Sequence, residues 1–196
     1  MSYYKDQLKK YLSGIDLKAD AVLSIGAQHD DREYFKSVDV GEWKTLDVDE
    51  QFKPDILFNL NREFSIDEGD ANVDYSLLEH FDAILAFELW EYIYDPVTAH
   101  KNIFALLKPG GVYMGSYPFI YPHHNPVGAD YMRYTDWGIK KLLTVAGFTD
   151  IKIKSRVATK GLYDLSSFVE NEGMRLSKEL APSYEWPIGY IVAAKK

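Results

Sequence analysis

The segment FDAILAFELWEYIYDPVTAHKNIFALLKPGGVYMGSYPF, residues 81–119, carries the most specific structural signal in the chain. It begins with a continuous apolar strand at 81–88. A helix follows, for which Asp95 can accept the free amides of the first turn and Pro96 suits the first helical position. The sequence KPGG ends that helix, and another strand follows at 112–119. We interpret the segment as a strand–helix–strand unit of a parallel sheet.

The alternation of strands and helices continues on both sides of this unit. Apolar runs bounded by turn residues predict further strands at 21–25, 43–48, 55–60, 149–158 and 188–195. Helical spacing predicts helices at 3–12, near 30–37, at 73–81, at 135–147 and near 164–180. This order favours an α/β fold, a doubly wound seven-stranded, mostly parallel sheet with helices on both faces. No repeat or linker interrupts the pattern, so residues 1–196 are predicted to form a single domain, with 1–14 as its N-terminal helix.

The composition limits the partners of the protein. A formal net charge of −8 over 196 residues argues against nucleic acid and anionic membranes, and it favours cationic or neutral small molecules. The chain has no cysteine, which excludes disulfides, thiolate metal sites and thiol nucleophiles. The N-terminal residues are charged and lack the apolar core of a signal peptide, and no stretch approaches the roughly 18 apolar residues of a membrane span. We therefore expect a cytoplasmic protein.

Ligands of open parallel sheets bind at the carboxyl ends of the strands. That rule selects the candidate cofactor-binding residues, which are Gly26, Ala27 and Gln28 after the first strand, Asp47 and Val48 after the second, Asn59 and Leu60 after the third, and Phe87 and Glu88 after the fourth. Asp47 follows Gly26 by about 20 positions, the spacing at which a carboxylate holds a ribose diol. A carboxylate at a strand end can equally be a plain surface residue, and both readings stay open.

The turn after the first strand, SIGAQHDD at 24–31, has a single glycine where a dinucleotide-binding loop has three. Gln28, His29, Asp30 and Asp31 crowd the place where a pyrophosphate would approach the backbone, and two of these side chains are anionic. The turn therefore disfavours a diphosphate. It favours a nucleoside ligand that has no phosphate and carries positive charge.

Six segments resemble, in order, the successive motifs of the class I S-adenosylmethionine (SAM)-dependent methyltransferases: VLSIGAQ, TLDVD, PDILFNL, FDAILAFELWEYIYDP, LLKPGGVYMGSYPF and TVAGF. The segment NPVGADYMRYTDWGIKKLL further resembles a small-molecule branch of that family. The resemblance implies SAM as the cofactor, an antiparallel last strand, and in-line transfer of the sulfonium methyl group to a small-molecule acceptor.

The sequence departs from the family pattern at several positions. Ser24 stands where the family usually has an acidic residue, two positions before the first glycine. Gln28 and Asp30 stand where further glycines are usual, so the glycine motif is degenerate. Asn59 replaces the usual aspartate after the third strand, and WEY at 90–92 replaces a Leu-Glu-His triplet.

The loop at 117–134 follows the fifth strand and is predicted to lie on the substrate side. His123 and His124 are the candidates for a general base, although a loop histidine can also serve only to bond backbone. The candidate substrate-binding residues are Tyr92, Tyr117, Asp130 and Arg133. Two structural alternatives stay open: an Asp130–Arg133 ion pair that locks the loop, and an aromatic cluster packed in the core. No recognised metal-ligand spacing occurs, so no metal is predicted.

Two other classes of function remain open from the sequence. One is a non-catalytic protein of the same fold that acts as a binding or interaction module, which the degenerate glycine motif favours. The other is an NAD-linked oxidoreductase, which the poor phosphate site disfavours. A homodimer is compatible with the sequence, and the sequence does not identify the methyl acceptor.

Overall fold

A computed structural model of the chain describes residues 3–64, 74–120, 123, 128–157 and 187–196. The helix predicted near 164–180 lies outside these residues. The helices are α1 (Tyr3–Leu12), α2 (Pro96–Leu106) and α3 (Asp136–Ala146). The strands are β1 (Asp16–Ile25), β2 (Ser37–Asp47), β3 (Ile56–Leu57), β4 (Phe81–Ala86), β5 (Leu107–Pro118), β6 (Thr149–Val157) and β7 (Pro187–Lys195).

The strands of the described residues form one seven-stranded sheet in the order β3-β2-β1-β4-β5-β7-β6. Neighbours among β1 to β5 are parallel, and β7 is antiparallel to both β5 and β6. The predicted mostly parallel sheet with an antiparallel last strand is confirmed. Because β2 and β4 flank β1 on opposite sides, the strand order reverses at β1, and α/β proteins bind ligands at such a point.

Helices cover both faces of the sheet, as predicted. On one face Leu8 and Leu12 of α1 belong to a core that also contains Val22, Leu85 and Ile191 from three strands. On the other face α2 and α3 join a larger core; their buried side chains are Ala99, Ile103, Leu106, Ile139 and Leu143. Residues that follow each other in a strand point to opposite faces, so β4 serves both cores.

The helix predicted near 30–37 is wrong. Only a short 3₁₀ turn, Asp31–Tyr34, forms there, because β1 and β2 both begin earlier than their apolar runs. Asp16 pairs with Ser37 in the parallel ladder, so the connection must return the full length of a ten-residue strand, about 33 Å. The few intervening residues cover that distance only when they run nearly extended.

Other predicted elements differ in extent. The helix predicted at 73–81 is reduced to the 3₁₀ turn Tyr75–Leu77, and the third strand to Ile56–Leu57. The start of α2 and the end of α3 were predicted correctly: the carboxylate of Asp95 accepts a hydrogen bond from the amide of Thr98 at 3.1 Å, and Gly147 ends α3 with a φ of 108°. The sequence KPGG, predicted to end α2, lies in β5 instead, because α2 already ends at Leu106. Within the described ranges, no helix has the length and apolar character needed to cross a bilayer.

Candidate active site

A cavity of about 700 Å³ lies at the carboxyl ends of β1 to β4. Most of the predicted cofactor-binding residues line it: Gly26, Gln28, Asp47, Val48, Asn59, Leu60, Phe87 and Glu88. Tyr92, predicted to bind substrate, lines it as well. The fold therefore brings together residues that are far apart in sequence, at the place that the strand-end rule specifies.

Gly26 makes the bend at which β1 ends. Its φ of 99° is one that glycine adopts without steric cost, and its amide donates to the carbonyl of Leu46 at 2.8 Å. The next amide, that of Ala27, donates to Oδ2 of Asp47 at 2.8 Å. Ala27 is not among the residues that line the cavity. The amide of Ala27 thus positions the carboxylate of Asp47, and the contact of Ala27 with a cofactor stays a prediction.

Asp47 is held at the end of β2 by two backbone amides. Oδ2 accepts from Ala27, and Oδ1 accepts from the amide of Asp49 at 3.0 Å. A carboxylate can accept about four hydrogen bonds, so each oxygen keeps capacity for one further donor. Two hydroxyls on neighbouring carbon atoms, as in a ribose, match that remaining capacity.

A second carboxylate enters the cavity from the 3₁₀ turn after β1. Asp31 is only 5% exposed and accepts a hydrogen bond from Oγ of Ser24 at 2.7 Å. Asp30 instead forms an exposed ion pair with Arg32, 2.7 Å between Oδ1 and Nε. The two consecutive acids thus point to different surroundings. The sequence analysis counted both only as obstacles to phosphate, because no local pattern separates them.

Glu88 follows β4 with a φ of 54°, a left-handed conformation that costs a non-glycine residue about 1–2 kcal/mol. Three hydrogen bonds hold it there. Its amide donates to Oγ of Ser116 at 2.9 Å, that hydroxyl donates to Oε1 at 2.7 Å, and Nη1 of Arg156 donates to Oε1 at 2.6 Å. The charge of Glu88 is therefore paired with a buried arginine.

Glu91 is a cavity residue that the sequence analysis did not select. It is 3% exposed, and its Oε2 has no hydrogen-bond partner among the described residues. Burial raises the pKa of Glu91 to about 7 from the ordinary 4.5; the nearby charge of Glu88 acts in the same direction. The sequence offers a weak signal, since an acid in an otherwise aromatic triplet is unusual for a buried turn.

Tyr117 is not among the residues that line the cavity, so this geometry gives no support to its predicted role in substrate binding. The residue is fully buried; its hydroxyl lies 2.7 Å from Nε2 of His100 and 2.7 Å from the hydroxyl of Tyr113. The indole ring of Trp90 stacks on both His100 and Tyr117, with centroid distances of 4.0 and 5.0 Å. Tyr117 therefore belongs to a packed aromatic cluster in the core, which was the structural alternative to substrate binding.

Four other tyrosines among the described residues do line the cavity: Tyr34, Tyr92, Tyr94 and Tyr131. The rings of Tyr94 and Tyr131 meet edge to face with a centroid distance of 5.8 Å. The amide of Tyr131 donates to the carbonyl of Glu91 at 2.7 Å, which fixes the segment 128–134 against the turn after β4. That part of the predicted substrate-side loop thus contributes to the cavity wall.

Asp130 and Arg133 form the ion pair that was the structural alternative to substrate binding. Nη2 of Arg133 donates to Oδ2 of Asp130 at 2.8 Å, and Nη1 donates to the carbonyl of Met132 at 2.8 Å. The side chain of Asp130 is 4% exposed. Neither residue lines the cavity, so this geometry gives no support to direct contact with substrate.

The predicted histidine base also finds no support in the geometry. The side chain of His123 is 98% exposed, its Nδ1 lies 3.4 Å from Oδ2 of Asp130, and it does not line the cavity. His124 lies outside the described residues. A search of the described part of the chain finds no group of three or more His, Cys, Asp or Glu side chains that could hold a metal ion.

The charge of the cavity is one-sided. Its acidic lining residues are Asp31, Asp47, Asp49, Glu88 and Glu91. None of the described lining residues is Lys or Arg. A site of this kind attracts cations and repels phosphates, as the sequence of the turn after β1 indicated.

Comparisons with known proteins find methyltransferases, both by sequence and by structure. Residues 40–115 match a family model described as "Methyltransferase domain". No curated protein matches the chain. Among solved structures, the chain is similar to an S-adenosylmethionine-dependent methyltransferase of Mesorhizobium loti, with 14% identity and a TM-score of 0.59 over 97% of this chain and 96% of that one.

Two further solved structures show the same fold. A SAM-dependent methyltransferase of Archaeoglobus fulgidus has 16% identity and a TM-score of 0.56 over 98% of this chain and 92% of that one. Phosphoethanolamine N-methyltransferase 2 of Haemonchus contortus, solved in complex with S-adenosyl-L-methionine, has 14% identity and a TM-score of 0.55. The alignment covers 98% of this chain and 52% of the Haemonchus protein, so this chain spans about half of its length.

The sheet order, the antiparallel β7 and the cavity beyond β1 to β4 define a Rossmann-like methyltransferase fold. The family match covers the region from β2 to β5, which contains the strand ends that form this cavity. Residues 40–115 thus match a methyltransferase domain, and the described residues have the fold of the class I SAM-dependent methyltransferases. The resemblance read from the sequence motifs is confirmed.

Proposed function

We propose that the chain binds SAM in the cavity and transfers the methyl group to a small-molecule acceptor. The observation that carries the proposal is the acidic lining, which contains no Lys or Arg among the described residues. SAM has a sulfonium, an ammonium and one carboxylate, so it is a cation without phosphate. Such a ligand suits a cavity that would repel a dinucleotide.

Two carboxylates fit the polar parts of SAM. Asp47 would hold the ribose diol, since both of its oxygens keep acceptor capacity. Asp31 would hold the ammonium of the methionine part, because it lies against Ser24, the position at which the family usually has its acid. Val48 and Leu60 line the same cavity and would cover the adenine with apolar surface.

When bound, SAM supplies a methyl group on a positively charged sulfur, which an electron pair of the acceptor attacks. The residues of the chain hold the acceptor in line with the carbon–sulfur bond and exclude water from it. Where the acceptor must lose a proton, a residue of the cavity accepts it.

The proposal is tested with two ligands that differ only in the amino-acid part, S-adenosylhomocysteine and 5′-methylthioadenosine. Calorimetry on the wild-type chain should detect binding of both. Asp31→Asn should weaken S-adenosylhomocysteine at least tenfold, since a charge-assisted hydrogen bond is worth about 1.5–3 kcal/mol, and should leave methylthioadenosine unchanged. Asp6→Asn, an exposed acid of α1, is the matched control.

Absence of S-adenosylhomocysteine binding to the wild-type chain would refute the proposed function. An equal effect of Asp31→Asn on both ligands would remove Asp31 from the ammonium site. A chain that binds SAM but forms no S-adenosylhomocysteine with any acceptor would instead be the non-catalytic binding protein that the single glycine of the turn favours.

A cytoplasmic location, a single domain over residues 1–196 and a possible homodimer stay predictions from the sequence. The small-molecule acceptor is supported by the size of the cavity, about 700 Å³, which is lined by side chains of the described residues. Light scattering on the purified chain measures the oligomeric state directly.

A further inference from the structure

The carboxylate of Glu91 is the unusual group of the cavity. It is almost fully buried, and its Oε2 has no hydrogen-bond partner among the described residues. A buried carboxylate oxygen that accepts no hydrogen bond costs several kcal/mol when it is ionised. Such a group is expected either to be protonated or to have its partner supplied by a ligand.

Two arginines that pair with acids near Glu91 in the chain or in its electrostatic surroundings are engaged by those acids. Arg156 donates to Glu88 at 2.6 Å, and Arg133 donates to Asp130 at 2.8 Å. Glu88 and Asp130 are thus paired with cations, whereas Glu91 forms no ion pair within the described residues. Since no described residue forms an ion pair with Glu91, a cationic group of the ligand is the partner that this geometry favours.

Aromatic rings surround the same end of the cavity. Tyr92 follows Glu91 directly, and Tyr94 and Tyr131 line the cavity as an edge-to-face pair. Aromatic faces beside a carboxylate attract organic ammonium groups through cation–π contacts and direct charge pairing. The only hydrogen-bond donors of these rings are their hydroxyl groups, and the rings carry no positive charge for a carboxylate or phosphate.

We propose that Glu91, Tyr92, Tyr94 and Tyr131 form the acceptor subsite, that the acceptor is an amine which enters as its ammonium ion, and that Glu91 accepts the proton. This inference rests on the proposed function, because it assigns the substrate class of the same cavity. It replaces the exposed His123 by a buried carboxylate as the base.

The proposed methyl transfer accounts for the proton and for each electron pair. Glu91 pairs as a carboxylate with the ammonium and takes one proton on Oε2, which leaves a neutral amine with a free electron pair. The nitrogen forms its bond to the methyl carbon while the carbon–sulfur bond breaks, and that pair stays on sulfur. The products are the N-methyl ammonium and S-adenosylhomocysteine, and Glu91 then loses its proton to water.

The groups that face Glu91 suit a base that works near neutral pH. Its pKa is raised to about 7 mainly by burial; the charges of Glu88 and Asp130 act in the same direction, whereas its own backbone amide and Arg133 act in the opposite direction. Tyr134 also lies close to it, and burial raises the pKa of that phenol further above its ordinary value. A base with a pKa near the working pH exchanges a proton with an ammonium most efficiently.

The test compares Glu91→Gln with Glu63→Gln, an exposed glutamate outside the cavity. The chain is first saturated with S-adenosylhomocysteine, and calorimetry at pH 8 then compares a panel of small amines with the alcohols of the same skeleton, such as benzylamine and benzyl alcohol. The wild-type chain should bind at least one amine tenfold or more tightly than its alcohol. Glu91→Gln should abolish that preference, and Glu63→Gln should keep it.

Methyl transfer and NMR supply two further readouts. With the amine that binds best, Glu91→Gln should lower formation of S-adenosylhomocysteine from SAM about a hundredfold or more, without a change in the dissociation constant of S-adenosylhomocysteine. The wild-type rate should rise with pH through about 7, and the variant should lack that rise. In the free protein, one carbon-13 carboxyl resonance of labelled glutamate should titrate near pH 7 and be absent from Glu91→Gln.

The failures of the two proposals can be told apart. If the wild-type chain does not bind S-adenosylhomocysteine, the proposed function is wrong. If it does bind, but amines bind no better than alcohols or Glu91→Gln retains the preference, the amine subsite alone is wrong. Loss of S-adenosylhomocysteine binding in Glu91→Gln would place Glu91 in the cofactor part of the cavity and overturn its role as the acceptor's base.

Discussion

Replacing Glu91 with Gln should change the pH dependence of folding stability in the absence of any ligand. Burial raises the pKa of Glu91 to about 7, whereas in the unfolded chain it takes its ordinary value of 4.5. Between these values the folded state binds more protons than the unfolded state, so the contribution of Glu91 to stability falls as the pH rises. Above pH 7 the loss is complete, and at about 1.4 kcal/mol per pH unit it amounts to roughly 3 kcal/mol.

Gln is neutral at every pH and has nearly the same shape as a protonated glutamic acid. The free energy of unfolding of Glu91→Gln minus that of the wild-type chain should therefore increase by about 3 kcal/mol between pH 4.5 and pH 8. Any fixed cost of the amide group is the same at both pH values and cancels from this change. Urea unfolding followed by tryptophan fluorescence measures both proteins under both conditions.

The comparison between the two proteins is necessary because His100 acts in the opposite direction. Burial lowers the pKa of His100 to about 4, so its contribution to stability is lost as the pH falls from about 6.5 towards 4. The two effects overlap in the wild-type curve and largely cancel. Glu63→Gln should show no pH-dependent difference from the wild-type chain. A difference between Glu91→Gln and wild type that stays constant with pH would refute the assignment of a raised pKa to Glu91.

Three further substitutions test individual parts of the structure. Asp47→Asn should weaken both S-adenosylhomocysteine and 5′-methylthioadenosine by tenfold or more, because both contain the ribose diol; unchanged dissociation constants would exclude Asp47 from the site. Tyr117→Phe should lower the free energy of unfolding by about 1–3 kcal/mol, because it leaves Nε2 of His100 buried without a partner. Altered ligand binding with unchanged stability would indicate instead that Tyr117 contacts the ligand. Gly26→Ala should lower both stability and SAM affinity, because alanine is strained at a φ of 99°; a variant as stable as the wild type would show that this bend is not required.

The order of the strands was predictable because strongly apolar runs mark the central strands. β4 is buried at nearly every position, and Asp95 and Pro96 mark the start of the helix after it. The positions of Gly26 and Asp47 followed from the same order, since strand ends in a parallel sheet meet at one edge. The sequence therefore located the cavity without any knowledge of its shape.

The extents of β1 and β2 could not be predicted from apolar runs. Their first halves expose alternate residues, so these halves do not form apolar runs. The connection between the two strands is too short for a helix because of the way the strands pair, and the local sequence does not show this pairing. The different surroundings of Asp30 and Asp31 also depend on contacts that the local sequence does not show. Asp30 bonds to its neighbour Arg32, whereas Asp31 is fixed by Ser24 on a different element.

The role of Glu91 was missed because its character depends on burial. A histidine has an ordinary pKa near neutral pH and therefore attracts attention in a sequence, as His123 did. A glutamate becomes a base of the same strength only when its surroundings remove water and leave it without a cation. That burial depends on distant parts of the chain, such as the segment at Tyr131 and Met132, whose amides donate to the carbonyl of Glu91.

Calorimetric titration of the wild-type chain with SAM and, separately, with NAD tests the central claim most directly. The acidic cavity should bind SAM with one site per chain and should show no binding of NAD at the same concentrations, because no described lining residue is a Lys or Arg that would pair with a pyrophosphate. No heat of binding with SAM, or binding of NAD as tight as that of SAM, would contradict the assignment of this cavity to a methyl donor.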